Sequence, residues 1–247
     1  MLRGAVVLAL AGCGFHGNAV PDATGGPPID AAETAGGDAS DAFASTFCVP
    51  IDGLVACYEF EGNASDLSGH NHDAATANLL FVPGMSGSAM LFAANSAADV
   101  PGSAAFDVAA LTIEAWVQPS ALPAQSKQSV VLDVDMQYAL FINDDGTLTC
   151  DLHGVSKFST IGAVVAGAWS HVACTYDGAM ARIFLNGNLA AVHAGTGGLS
   201  TGGHAMAIAA NSPSGSPLVG LIDQLRLLGV SRTGPQICGD AGRSSCL

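Results

Sequence analysis

Gly53-Leu54-Val55-Ala56-Cys57-Tyr58-Glu59-Phe60-Glu61-Gly62 carries apolar side chains at 54, 56, 58 and 60 and carboxylates at 59 and 61. Alternation at period two sends successive side chains to opposite faces, so this stretch reads as a half-buried β-strand set between two glycines. The same texture continues outward from it. Leu111 to Val117 puts Ile113, Ala115 and Val117 on one face and Thr112, Glu114 and Trp116 on the other. Arg182 to Leu185 and Leu189 to His193 flank Asn186-Gly187, a dipeptide whose tolerance of positive φ suits a type I′ hairpin turn. Asp145-Gly146 and Asp177-Gly178 supply related turns. No long segment of helical period bounded by caps interrupts the series, and short alternating runs between turns predict an all-β, antiparallel architecture.

The order of the motifs adds to this. Gly53 to Gly62 with Asn63-Ala64-Ser65-Asp66-Leu67-Ser68-Gly69, then Leu111-Thr112-Ile113-Glu114-Ala115-Trp116-Val117, Trp169-Ser170-His171-Val172 running to Asp177-Gly178, Phe184-Leu185-Asn186-Gly187 and Gly220-Leu221-Ile222-Asp223-Gln224-Leu225-Arg226-Leu227 succeed one another in the chain. In this order they resemble the successive motifs of laminin-G-like jelly-roll domains, over about residues 53 to 232. The resemblance implies a concanavalin A-like sandwich of two antiparallel sheets packed face to face, with the first and last strands as neighbours.

Composition bounds the partners. Of 247 residues, 49% are hydrophobic but only 6% aromatic, so the core is built from modest side chains. Seven Lys and Arg stand against 21 Asp and Glu, a formal charge of −14. Nucleic acid is excluded as a partner, because its binding rests on cationic neutralisation of phosphates. Anionic membrane surfaces are likewise unsuited, which leaves a covalent lipid as the route to a membrane.

Residues 1–12 have the layout of a signal peptide: Arg3 in a short basic start, an apolar run from Gly4 to Leu10, and small residues before Cys13. Leu10-Ala11-Gly12-Cys13 resembles the bacterial lipobox, which implies lipidation of Cys13 and a cell-envelope lipoprotein; Gly14 after it favours the outer membrane or cell surface. From residue 13 to 47 the chain is Gly, Ala, Pro, Thr and Asp with hardly a large apolar side chain, and carries Asp22, Asp30, Glu33, Asp38 and Asp41 without a base. It is expected to be an acidic, disordered tether, and residues 48–247 the folded domain.

Cys48, Cys57, Cys150, Cys174, Cys238 and Cys246 remain, an even number in an exported chain, and predict three disulfides among fifteen pairings. The implied fold makes the strands around Cys150 and Cys174 neighbours, and these two are expected to pair, restricting the unfolded chain by roughly 3.5 kcal/mol. The other four are expected to clamp the termini in a pairing the sequence leaves open.

For chemistry, Asp133-Val134-Asp135 is the nearest approach to the paired carboxylates of a glucanase, but the flanking Glu residues are missing and the expected reading is a solvated strand face. No GxSxG elbow is present, and His171 belongs to a structural motif of the family. His70-Asn71-His72-Asp73 reads as a polar surface loop. No catalytic residues are therefore assigned. Asp66, in a loop rich in carbonyls, and Asp223, aligned with Leu225 and Leu227, are candidate calcium ligands, since hard oxygen donors suit that ion. Glu114 and Trp116 are the ligand-face candidates, and for Trp116 a core role is the favoured reading. The expected function is a non-catalytic binding or adhesion module for an extracellular glycan or protein; a purely structural envelope lipoprotein is the alternative, and a glycoside-active enzyme the third reading.

Overall fold

A computed structural model describes residues 47–210 and 216–246, all within the compact unit Phe43–Leu247. The leader, Cys13 and nearly all of the expected tether lie outside the described residues. Phe47, which the sequence assigns to the tether, is buried in the domain.

In chain order the strands are β1 (Leu54–Tyr58), β2 (Ala75–Ala77), β3 (Leu80–Pro83), β4 (Ser88–Phe92), β5 (Ala97–Val100), β6 (Leu111–Pro119), β7 (Gln128–Val134) and β8 (Tyr138–Asn143). They continue as β9 (Thr147–Leu152), β10 (Ser156–Ala163), β11 (Ser170–Tyr176), β12 (Met180–Leu185), β13 (Asn188–Ala194), β14 (Met206–Ile208) and β15 (Gly220–Leu228). One short helix, α1 (Gly234–Asp240), comes last. An eight-stranded sheet has the order β13-β12-β11-β6-β15-β4-β3, with β1 also on β15; a seven-stranded sheet runs β10-β9-β8-β7-β14-β5-β2. Pairing is antiparallel throughout, and β1 lies on β15, so the first and last strands are neighbours. This is the two-sheet jelly-roll sandwich.

Alternation explains the layers. Ile113, Val117, Val172, Ile183 and Ile222 of one sheet meet Val131, Leu140, Ile142, Leu148 and Ile208 of the other in a single buried cluster. The few large aromatics are used where a hydroxyl can also be satisfied: Tyr138 donates to Phe106 O at 2.9 Å and Tyr176 to Gly197 O at 2.8 Å. Asn186 and Gly187, at φ 50° and 78°, form the two-residue turn between β12 and β13. Strand β1 is shorter than its alternation suggested: it ends at Tyr58, and Phe60 takes a left-handed φ of 57°.

The outer face of the eight-stranded sheet is covered at its centre. Ile237 of α1 packs on Ala173 and Phe184, while Phe47 and Cys48 pack on Leu54, Cys57 and Leu228. The outer face of the seven-stranded sheet carries no helix among the described residues.

Candidate functional site

That face, without a helix among the described residues, is where chemistry-bearing side chains gather. The strand registers place Lys157, Asp151, Ala139, Asp133, Ala207 and Asp99 in one row across β10, β9, β8, β7, β14 and β5. Their in-strand neighbours Leu140, Leu152, Met206, Ile208, Ala98 and Val100 point into the core, so period two turns this row outward. Carboxylates alternate with alanines, and carboxylate-bearing strands stand roughly 10 Å apart. The small side chains leave a floor between acidic walls. One row along, Phe141 lies beside Thr149 and Val130, and Thr149 beside Ser159.

Of these, Lys157, Asp151, Ala139, Asp133 and Phe141 line a trough of about 290 Å³ that also takes in Gln128, Asp135 and His153. Lys157 Nζ sits 2.9 Å from Asp151 and 5.2 Å from the centre of the Phe141 ring. Gln128 donates to Asn143 at 2.7 Å, Asn143 to Thr149 at 2.9 Å, and Thr149 and Ser159 share a hydrogen bond of 2.6 Å. Carboxylates, amides and hydroxyls held in a fixed lattice beside one aromatic ring form a surface suited to a hydroxylated ligand. Asp133 and Asp135 belong to it, where the sequence suggested only a solvated strand face.

The ligand-face candidates prove otherwise placed. Glu114 is fully buried and accepts from Arg226 Nε. Arg226 also lies 2.7 Å from Asp240 and donates to Phe47 O at 2.8 Å, with its guanidinium 4.3 Å from the Phe47 ring centre. Arg232 reaches Asp240 at 2.5 Å. Burial pushes the Glu114 carboxyl up to about 7 against the pull of the guanidiniums. Glu114 is thus the inner end of a charge network that holds Phe47 and α1 on the sheet, and the segment after β15 closes the face it was expected to present. Trp116 is half-buried, edge-on to His171. His171 is packed as expected, with Nε2 3.6 Å from Glu114 Oε2 but neither ring nitrogen in a hydrogen bond among the described residues, and burial pushes it down to about 4.

Asp66 and Asp223 serve two different loops. Asp66 Oδ1 accepts from the Cys57 and Ser68 amides, both at 2.9 Å, and Oδ2 from the His72 amide at 2.9 Å and the Ser68 hydroxyl at 2.8 Å. Burial opposes its ionisation, yet these donors outweigh it and hold the carboxyl below the usual range. Asp223 stands where β15 changes neighbour from β4 to β1 and its own ladder lapses. Its Oδ2 accepts from the Ser86 amide at 2.9 Å, and the Gln224 and Met85 amides also face the carboxylate. Burial, with the Glu61 charge adding, pushes it up to about 6. Donors thus occupy both oxygens of Asp66, while Asp223 has the Ser86 amide on Oδ2. His72, from the polar loop, is largely buried with its ring nitrogens 3.0 Å from Val55 O and 3.2 Å from the Ser103 hydroxyl.

Disulfides join Cys150 to Cys174, Cys48 to Cys57 and Cys238 to Cys246. Cys150 is on β9 and Cys174 on β11, in opposite sheets. They are not strand neighbours; their bond crosses the core from sheet to sheet.

Residues 92–238 match the sequence pattern of the concanavalin A-like lectin/glucanases superfamily. The chain belongs to that superfamily. No curated protein matches this lectin/glucanase-type chain in sequence. Among solved structures, domain 4 of AbnA, a GH43 extracellular arabinanase from Geobacillus stearothermophilus in complex with arabinotriose, is similar at a TM-score of 0.65 and 19% identity, over 76% of this chain and 98% of that domain. The binding domain of Paraclostridial Mosquitocidal Protein 1 is similar at 0.64 and 14%, over 76% of this chain and 52% of its own. The binding domain of botulinum neurotoxin DC in complex with SialylT is similar at 0.57 and 11%, over 77% and 51%. The chain therefore spans about half the length of those toxin domains. At these identities the superfamily's sandwich fold is what is shared.

Proposed function

We propose that this protein is a non-catalytic glycan-binding module, and that the trough on the seven-stranded sheet receives the sugar. The observation that carries the reading is the outward row Asp151-Ala139-Asp133, with Phe141 and Lys157 beside it, on the sheet face that no helix covers among the described residues. Sugar hydroxyls pair with fixed carboxylates and amides, and a ring's C–H face stacks on an aromatic side chain. The carboxylates of Asp151 and Asp133 come from strands roughly 10 Å apart, wider than the roughly 5 Å of a retaining glycosidase pair, which argues against a retaining mechanism. Acid walls favour a neutral oligosaccharide. The arabinanase domain solved with arabinotriose makes an arabinose oligomer the first ligand to try. On this reading Cys13 carries a lipid and the module is displayed from the cell envelope, toward an extracellular partner.

The test is a glycan array with the full chain and with Asp151→Asn and Lys157→Gln, two less buried residues of the trough. Binding to neutral oligosaccharides that both substitutions abolish, with melting temperatures unchanged, is the expected result. Silence across the array, or binding indifferent to both substitutions, would overturn the assignment and leave a structural envelope lipoprotein. Release of reducing ends from a bound oligosaccharide would overturn the non-catalytic part alone.

A further inference from the structure

A second cleft opens on the opposite side of the sandwich, and its chemistry is the reverse of the trough's. It encloses about 510 Å³ between the β12–β13 hairpin and the segment after α1, with Arg182, Phe184, Leu189, Pro235 and Arg243 on its walls. Gly187 makes the geometry available. At φ 78° it sits in the hairpin turn, and a Cβ there would lie 2.7 Å from Cys246 Sγ, so only glycine lets the Cys238–Cys246 bridge seat against the turn.

In a chain with seven bases, four of them, Arg182, Arg226, Arg232 and Arg243, fall on this side. Arg226 and Arg232 are spent on Glu114 and Asp240. Arg182 is paired with the Asp177 carboxylate at 2.7 Å through one nitrogen, and Arg243 donates one bond, 3.2 Å to the Asn186 carbonyl, among the described residues. Each guanidinium has five donors, so each is oriented by one contact and keeps others for a guest. Between them the walls are apolar: Phe184, Leu189 and Pro235.

We infer that this cleft binds a monoanionic carboxylate carried on a ring, with the carboxylate forked by Arg182 and Arg243 and the ring face on Phe184, Leu189 and Pro235. An oligoanion is disfavoured, because the overall charge of −14 repels any part of it that extends beyond the two arginines. A neutral ring leaves both guanidiniums unused. The inference is independent of the trough, from which it differs in sheet, charge and ligand.

Two ring acids separate the sources of such a carboxylate: methyl glucuronide for a uronic sugar and benzoate for an aromatic acid, with methyl glucoside and benzamide as neutral partners. Binding to the full chain is measured by saturation-transfer NMR and titration. At least one acid is expected to bind while its neutral partner does not, and whichever acid binds names the source. Arg243→Gln and Arg182→Gln should each weaken it about tenfold, the loss of one charge-assisted bond. Raising the salt should weaken it further, and Asp151→Asn in the trough should leave it unchanged. Binding of neither acid, equal binding of acid and neutral partner, or affinity untouched in both arginine variants would each overturn the site. Arg243 is exposed, so its replacement spares the fold, and a melting curve on each variant separates lost binding from lost structure.

Discussion

Glu114 of the sandwich and Asp240 of the closing helix share one guanidinium, that of Arg226, which is buried between them. The bond that ties β6 to β15 therefore also ties the sheet to the end of the chain. Removing one member of such a buried set strands the others without a partner. Arg226→Met is expected to cost about 3–5 kcal/mol by urea unfolding, whereas Glu114→Gln combined with Arg226→Met should cost less than the single change. A cost under about 1 kcal/mol for Arg226→Met would show that the network contributes little.

His171 supplies an acid limit. Its folded value of about 4 lies below the ordinary 6.5, so the unfolded chain takes up the proton first. The folded state thus loses stability from this group as pH falls from 6.5 toward 4. Glu114 works the other way, since a raised carboxyl favours the folded state as pH falls from about 7. The difference between wild type and His171→Phe isolates the histidine. Melting temperatures of the pair should converge as pH falls through that window, and a constant gap would refute the assignment.

Asp223 makes the opposite prediction to that of a salt-bridged carboxylate. Its value, pushed to about 6 from 3.8, means that the folded state holds the proton longer, so stability from this group falls as pH rises from about 4 through 6. Asp223→Asn should remove that decline and match or exceed wild type in melting temperature at about pH 7. Calcium is expected to leave the wild-type midpoint where chelator leaves it. A midpoint raised by calcium and lost in Asp223→Asn would reinstate the ion at this residue.

The anchor is tested by Cys13→Ser. On detergent phase partition the wild type is expected with the detergent, and the variant in the aqueous or periplasmic fraction. Equal partition would remove the lipid from the proposed function.

The legible part of the chain was local. Leu54 to Tyr58, Leu111 to Val117 and the Asn186-Gly187 turn show their structure in spacings of two residues. Glu114 was misplaced because alternation assigns a face but not its cover; its partner Arg226 is 112 residues away. Asp151, Asp133 and Asp99 lie on three strands, and only the register of β14 and β8 brings them into line. The alternating Asp133 and Asp135 were visible, but nothing short of that register could show that Ala139 and Ala207 leave room between carboxylates. The Cys150–Cys174 bond was expected between neighbours for a similar reason: the sequence carries no mark of which sheet a strand joins.

The ring closed by Cys48 and Cys57 also decides how the domain bears a pull. Tension applied to the chain ahead of Phe47 does not reach β1 at Leu54, its first rung, where a strand unzips one bond at a time. It arrives through sulfur at Cys57, deep in the ladder and opposite Arg226. The rungs at Leu54, Ala56, Cys57 and Tyr58 then share the load, so a pull on the segment before Cys48 meets the ladder beyond its first rung.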